Sequence, residues 1–377
     1  MLKSSKKILF IGHNATLSGA PLVLLNLAKW IKSHHPEIVI DILLMKNGEY
    51  IDEYSKTFGQ VYFAKEPADD TFITTTKNKI KSKLGLSHKD ILLKKIHKNN
   101  YDIIYCNTVF TLNWGVVINN ILSASKLILH VHELNGAIRI LAPNFAEQAK
   151  SVDQFICASQ AVIDNISNTY QVPEEKLHLV YEFIEIAGQN LLPRKNNSSN
   201  FIVGSSGFAD WRKGYDLFLL TAYQFKKRFP EVDIKFQWVG VVPKESEIII
   251  SEDIKKLKIG DFVEFTGKTS APLQEFNNFD VFLLLSREDP FPLVCLEAGS
   301  LGKAVICFEK AGGIGELIAD GGGITVPYLD LEEVVNAIYL YYTDRTKLIN
   351  DGQVLSSKVT QYTTALLAPK IYQVLSK

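Results

Sequence analysis

Short apolar runs recur along this chain, each closed by glycine or a polar loop and most followed by a stretch with helical spacing. In the first half they fall at Ile8–Ile11, Ile38–Met45, Val61–Phe63, Ile103–Cys106, Leu127–His132 and Gln154–Ala158. Runs of this length that are apolar at nearly every position, rather than at every second one, predict strands covered on both faces. After the first run, PLVLLNLAKWIKS has helical spacing, and Pro21 predicts the helix start because proline fits the first helical position. Strand and helix alternate in this way to residue 186. The pattern predicts a parallel sheet flanked by helices, Rossmann-like but without a Gly-x-Gly-x-x-Gly fingerprint.

Residues 187–200, AGQNLLPRKNNSSN, interrupt the rhythm with Gly, Pro, Asn and Ser and predict an interdomain linker. A second series follows: FIVGSSG from Phe201, a helix around Tyr215–Phe229, then IKFQWVG, FVEFTG, VFLLL, AVICF and GITVP. The whole predicts an α/β chain of two doubly wound, Rossmann-like domains, 1–186 and 201–358, facing each other across a cleft. Residues 359–377 are expected to form a terminal helix packing back on the first domain, with Leu366, Leu367, Ile371, Val374 and Leu375 on its apolar side and a kink at Pro369. No repeat of 20–50 residues is present, which excludes a solenoid.

Composition narrows this picture. A chain of 377 residues exceeds the usual growth of one core, and 46% apolar with 22% charged residues fits a soluble globular protein. Basic and acidic side chains balance at 41 each, so no nucleic-acid partner is expected. Cys106, Cys157, Cys295 and Cys307 stand singly in apolar stretches, the pattern of reduced core residues rather than of a disulfide or zinc framework. The N-terminal lysines precede an apolar run that ends at Ile11, too short for a secretory signal, and no stretch has transmembrane length. The expectation is a cytoplasmic protein.

Chemistry concentrates in DVFLLLSREDPFPLVCLEAGSL, residues 280–301. Ser286, Arg287, Glu288 and Asp289 set a hydroxyl, a cation and two carboxylates at the carboxyl end of an apolar strand. Pro290, Phe291 and Pro292 make a stiff turn, and a helix with Glu297 starts at Leu293. Strand, polar loop and helix N-terminus together form the place where open α/β sheets bind ligands. A second polar stretch, GSSGFADWRKGYDLFLLTA, covers residues 204–222.

Together these stretches resemble glycosyltransferase family 4, the group 1 retaining enzymes of GT-B fold. The family signature is an acid, seven residues, then Glu. Here Asp289 and Glu297 hold those places, Phe291, Leu293 and Ala298 match, and Pro290 and Pro292 replace two glycines. The resemblance implies that Glu297 accepts hydrogen bonds from ribose hydroxyls and Asp289 holds the transferred sugar. It further implies that the Leu293 and Val294 N–H groups reach the diphosphate, with Phe291 and Pro292 lining the same loop. Lys213, Gly214, Asp216 and Leu217 resemble the family's phosphate-binding pattern after Gly207. Phe208 stands where the family has arginine; either Arg212 supplies that charge or one phosphate contact is absent. Val263–Gly267, with Thr266 and Gly267 at its end, resembles the family's strand before the loop that holds the base, and Gly312–Glu316 resembles a mainly structural Gly-Gly-x-x-Glu segment. In the first domain, Ser18-Gly19-Ala20-Pro21 stands where the family has a Gly-Gly loop near donor phosphate and acceptor, and His130-Val131-His132-Glu133 resembles its His motif, which implies that His132 lies by the transferred sugar. Read from the residues alone, His132 could also be a core histidine satisfied by backbone. The implied catalytic set is His132, Lys213 and Asp289.

The implied function is retaining transfer from a nucleotide-diphosphate sugar to an acceptor hydroxyl in polysaccharide or glycoconjugate biosynthesis. The first domain would be the acceptor side and the second the nucleotide-sugar side. No cofactor and no metal are expected, since the chain has no Asp-x-Asp to bridge a divalent ion to a diphosphate. Two rival readings keep the fold: a non-catalytic sugar-nucleotide-binding component of a glycan assembly complex, and a nucleotide-sugar epimerase or phosphorylase. Asp289 and Glu297 with Lys213-Gly214 argue against the second. The expected partners are a nucleotide sugar and a glycan or lipid-linked acceptor. Lys77–Lys98 carries eight lysines and one acid, Asp90, and Ser87-x-x-Asp90 predicts a capped helix bearing Ile91, Leu92, Leu93 and Ile96. That segment has two readings: a solvated helix and loop, or peripheral docking at the inner face of an anionic membrane.

Overall fold

The computed structural model describes residues 6–65, 87–122, 125–186 and 200–377. The predicted linker, apart from Asn200, and Lys77–Leu86 of the lysine-rich segment lie outside the described residues. The described residues form two compact units. One contains the chain up to Ala158, Val162–Tyr181 and Thr364–Lys377; the other contains Ser159–Ala161 and Glu182–Thr363.

The first unit holds a seven-stranded sheet of β1 (Lys7–Gly12), β2 (Val39–Leu44), β3 (Val61–Phe63), β4 (Ile103–Cys106), β5 (Lys126–Val131), β6 (Gln154–Cys157) and β7 (Leu177–Leu179). Its order is β3-β2-β1-β4-β5-β6-β7, with every pairing parallel. The apolar runs located all but β7, a three-residue strand that is only half-buried and has His178 at its centre. The first helix runs Gly19–His34, two residues ahead of the start marked by Pro21. Ser18 is its extended N-cap residue, and its carbonyl accepts the Leu22 N–H at 3.0 Å. Proline is tolerated in the first turn because N–H groups there have no helical acceptor. The terminal helix, Thr364–Ser376, runs through Pro369 and packs on Gly19–His34. Lys6 Nζ donates to its Leu375 carbonyl at 3.0 Å, and Tyr372 stacks on His35 at 3.9 Å.

The second unit holds β8 (Phe201–Ser206), β9 (Ile234–Val239), β10 (Val263–Gly267), β11 (Val281–Leu284), β12 (Ala304–Phe308) and β13 (Gly323–Val326). These form one parallel sheet in the order β10-β9-β8-β11-β12-β13. In each sheet the strand order reverses at the centre, between β1 and β4 and between β8 and β11. Loops leaving two such neighbours diverge to opposite faces and leave a crevice at the carboxyl edge. Both sheets are therefore Rossmann-like.

Gly204 in β8 shows how closely the second core is filled. A Cβ there would lie 2.0 Å from Cδ2 of the buried Phe279 ring. Gly204→Ala is expected to lower stability by about 2 kcal/mol, as overpacking commonly does, with a matching fall in melting temperature. An unchanged melting temperature would show that the ring moves aside freely.

Candidate functional site

β11 is wholly buried and delivers Ser286–Asp289 to the carboxyl edge of its sheet. The Asp289 side chain is 7% exposed, and its Oδ2 accepts from Lys213 Nζ at 2.6 Å and from Ser286 Oγ at 3.0 Å. Arg212 Nη1 stands 3.9 Å from the other oxygen, Oδ1. Burial is the largest single influence on this carboxyl and pushes its pKa up. Lys213, Arg212 and the two hydrogen bonds together outweigh it, so the pKa lies below the ordinary carboxylate value. Asp289 is held ionised.

The cations come from the loop after β8. Gly207 opens it at φ +151°, its N–H donating to the Val239 carbonyl and its carbonyl accepting from Trp238 Nε1. Asp210 Oδ1 accepts the Lys213 N–H at 2.8 Å, and Gly214, at φ +75°, caps the helix Tyr215–Arg228. A Cβ on Gly214 would sit 2.1 Å from the Leu285 carbonyl oxygen, so the position demands glycine for space as well as for backbone angle. Arg212 also donates to the Glu288 carbonyl at 2.8 Å. Arg212 thus lies beside Asp289, while Phe208, at the position where the family has arginine, is exposed.

Glu297, eight residues on, has the opposite electrostatics. It lies on the helix Leu293–Ser300, is partly exposed, and no hydrogen bond from the described residues reaches its carboxylate. Burial alone lifts its pKa from 4.5 to about 7. Pro292 is the extended N-cap residue of that helix and offers no side-chain cap, so the first-turn N–H groups of Leu293 and Val294 have no acceptor within it. Phe291 is buried and stacks on Tyr362 at 5.4 Å.

Gly312 and Gly313 support the loop from behind. A Cβ on Gly312 (φ +149°) would lie 1.7 Å from the Asp289 carbonyl oxygen, and Gly313 N–H donates to the Pro290 carbonyl at 2.8 Å. Glu316 accepts the N–H groups of Gln160 and Ala161, which belong to the same unit. Thr266 spends its hydroxyl on the Trp238 carbonyl, and Gly267, at φ +73°, faces open space.

In the first unit, Gly19 is the first residue of its helix, with open space where a Cβ would project. His132 lies just beyond β5, its ring 4.0 Å from that of His130. Its backbone N–H donates to Glu133 Oε2, which also accepts from the Val109 N–H. His130 Nδ1 pairs with the Tyr105 hydroxyl at 2.7 Å. His13, on the loop after β1, was given no role from sequence. Burial, then His132 and Lys46, lower its pKa to about 4, so it is neutral at physiological pH. Within the second unit the structure brings Lys213, Arg212 and Asp289 together and sets Glu297 on the adjoining helix. Ser286 completes that group by donating to Asp289, while Arg287 pairs with Asp216 beside it; in sequence both were visible only as the Ser-Arg that ends the strand before the signature.

Two parallel sheets of this topology, the second carrying a basic loop against an acidic strand end, define a protein of GT-B type. Residues 190–353 match the family model described as Glycosyl transferases group 1, and residues 73–187 match Glycosyltransferase Family 4. The chain belongs to these glycosyltransferases. It is 30% identical to N-acetyl-alpha-D-glucosaminyl L-malate synthase of Bacillus anthracis over 166 residues, 41% of this chain and 42% of that protein. It is 25% identical to an uncharacterized glycosyltransferase of Haemophilus influenzae over 192 residues, 48% of this chain and 53% of that one. The matches span about half the length of these curated relatives, or less. The crystal structure of Anabaena HepE in complex with UDP-glucose shares the fold, with a TM-score of 0.78 and 20% identity over 98% of this chain and 99% of that one. No helix among the described residues is long and apolar enough to cross a membrane.

Removing the nearest cation should expose the cost of burying Asp289. Lys213→Met is expected to destabilise the protein by roughly 3 kcal/mol at neutral pH, because it strips a partner from a buried carboxylate. The folded pKa of Asp289 is depressed, so its stabilising contribution is present above the unfolded value and lost as pH falls through the folded one. The gap between variant and parent in urea unfolding should therefore narrow in acid. A gap that does not change with pH would contradict the pairing.

Proposed function

We propose that this chain transfers a glycosyl group from a nucleotide-diphosphate sugar to an acceptor hydroxyl, with retention at the anomeric carbon and without a metal ion. The observation that carries this reading is the pair of unlike carboxylates, Asp289 held ionised by Lys213 and Arg212, Glu297 partly buried with no hydrogen-bond partner among the described residues. A carboxylate accepts two hydroxyl donors at once, which fits Glu297 to the adjacent hydroxyls of a ribose. Oδ1 of Asp289, with Arg212 at 3.9 Å, has capacity left to accept a sugar hydroxyl. Lys213, Arg212 and the first-turn N–H groups of Leu293 and Val294 supply positive charge for a diphosphate, where negative charge grows as the glycosidic bond breaks.

Under this proposal the acceptor attacks from the face that the diphosphate leaves. The C–O bond to the leaving phosphate breaks, the acceptor oxygen bonds to the anomeric carbon, and the acceptor's proton passes to the leaving phosphate oxygen. No protein nucleophile or base is then required. Rate comes from positioning and charge stabilisation. His132 is assigned to the hydroxyls of the transferred sugar, and Gly19 to the close approach of backbone beside donor and acceptor.

The donor test is thermal shift with UDP-, GDP- and ADP-sugars, UDP-glucose first because the Anabaena structure holds it. One nucleotide series should raise the melting temperature, by about 2.7 kcal/mol of added stability at a hundredfold excess over Kd. No response from any series would sink the reading. NMR of the product anomer then tests retention, and activity in EDTA tests metal independence.

Glu297 adds a pH signature. Its ionised form is the better acceptor, so affinity for the intact nucleotide sugar, which has no ionisation of its own near neutrality, should rise about threefold or more from pH 6 to 8. Glu297→Gln should bind more weakly and with a flat pH profile; a variant that keeps the slope would remove Glu297 from the site.

A lipid-linked acceptor at an anionic membrane remains part of the proposal. Ser87 and Asp90 form a capping box on the helix His88–Asn99, which exposes Lys89, Lys94, Lys95 and Lys98. Co-sedimentation with phosphatidylglycerol vesicles should fall at high salt and in a variant with glutamate at all four lysines. Absence of salt-sensitive binding would leave this helix simply solvated.

A further inference from the structure

We propose that Arg287 is a positioning residue, which clamps the loop of Arg212 and Lys213 onto the end of β11 and so sets the site's affinity for the diphosphate of a nucleotide sugar. The inference rests on the function proposed above. Arg287 touches neither Asp289 nor Glu297. Its guanidinium instead makes a two-pronged contact with Asp216, Nη1 to Oδ1 at 2.9 Å and Nη2 to Oδ2 at 2.8 Å. Nη1 also donates to the Trp211 carbonyl at 2.6 Å, and the guanidinium lies 4.7 Å from the centre of the Trp211 ring. The Arg287 backbone N–H donates to the Arg212 carbonyl at 2.8 Å.

Arg287 thus holds residues 211, 212 and 216, which flank Lys213 on both sides. Two further contacts tie the same loop to the same strand end: Arg212 Nη1 on the Glu288 carbonyl, and the packing of Gly214 against the Leu285 carbonyl. An ordinary ion pair in a helix's first turn would need neither the stacked ring nor the main-chain hydrogen bonds. The Arg287 side chain is only 12% exposed although Trp211 is 65% exposed, so the tryptophan acts as a lid over the fork rather than as part of the core. Lysine could not substitute, because it lacks the planar fork and stacks poorly. The clamp has a direct consequence for Lys213. Its ammonium must reach a carboxylate 76 residues away in sequence, and a loop free to swing would spread that charge over many positions.

The test is a double-mutant cycle read by isothermal titration with UDP, and with GDP or ADP if UDP does not bind. The variants are Arg287→Lys, Asp216→Asn and Lys213→Met, singly and combined, each checked as folded by circular dichroism. If Arg287 acts through Lys213, Arg287→Lys and Asp216→Asn each weaken binding about fivefold in the parent but less than about twofold once Lys213 is gone. Equal losses in both backgrounds, or no loss in either, overturn the clamp while leaving the nucleotide site standing. Should Arg287→Lys fail to fold, Asp216→Asn carries the same cycle, since Asp216 is on the helix surface. No binding of any of the three nucleotides by the unaltered chain overturns the functional reading, and the clamp's assigned role with it.

Discussion

A carboxylate buried at the end of an apolar strand has to be paired, and the second unit is built around meeting that requirement for Asp289. β11 brings the carboxylate to a place from which water is largely excluded, where an unpaired charge would be several kcal/mol too costly to keep. The partner cannot come from β11 itself. It comes from the loop after β8, and the reversal of strand order at β8 and β11 makes that loop and the end of β11 neighbours. Gly214 then lets the loop lie directly on Leu285, and Gly312 lets the segment after β12 lie directly on Asp289. Glycines that look like separate loop features in sequence therefore serve one local arrangement.

The same arrangement gives two acids on one short stretch different properties. Asp289 is surrounded by Lys213, Arg212 and Ser286 and stays ionised. Glu297 feels burial without compensation and is poised near neutrality. This differs from an acid–base pair built for hydrolysis, in which both groups face one scissile bond with a proton to exchange. Here the ionised member is already engaged by cations, and the titratable member sits on the helix whose amino end carries unsatisfied N–H groups. Such a division fits recognition of a polar, multiply charged donor, in which the groups hold charge in place rather than move it.

The parallel sheets were legible because most strands, such as β1, β2, β11 and β12, are apolar at nearly every position, as burial on both faces requires, while β9 and β10 alternate but still carry strand-length apolar patterns; only β7 offered neither. The exception is informative: β7 is an edge strand with half-buried residues, and an edge needs no continuous apolar run. Asp289 and Glu297 were singled out through the family's acid–seven residues–Glu spacing, and Lys213 through its resemblance to the Lys-Gly-x-Asp-Leu pattern. Their partnership was not, because ion pairs between residues 76 apart leave no trace in a linear pattern. Arg287 shows the limit most clearly. Its position at a strand end was visible, but its partners, Asp216 and Trp211, become neighbours only when three successive connections, β8 to β9, β9 to β10 and β10 to β11, bring β11 back beside β8. His13 was missed for a related reason, since its lowered pKa depends on burial and on His132, more than a hundred residues later in the chain.

The two prolines of the signature loop show how this local geometry substitutes for sequence that the family usually has. Pro292 lacks an N–H, so under the proposed function it cannot make the phosphate contact that a glycine backbone could make there. Its φ of −71° is nevertheless the angle proline prefers, so it enters the N-cap position without strain. Pro290 gives up a donor too, yet its carbonyl is used, accepting Gly313 N–H, and Asp289 N–H donates to the Ala311 carbonyl beside it. The loop is thus fixed by groups that proline retains. What remains free at its end is the pair of N–H groups on Leu293 and Val294, presented by a turn with little freedom to collapse onto them. A stiff loop with two donors loses less entropy on meeting an anion than a flexible one with three, and Lys213, itself held in place by its loop, lies on the cationic side of the same site.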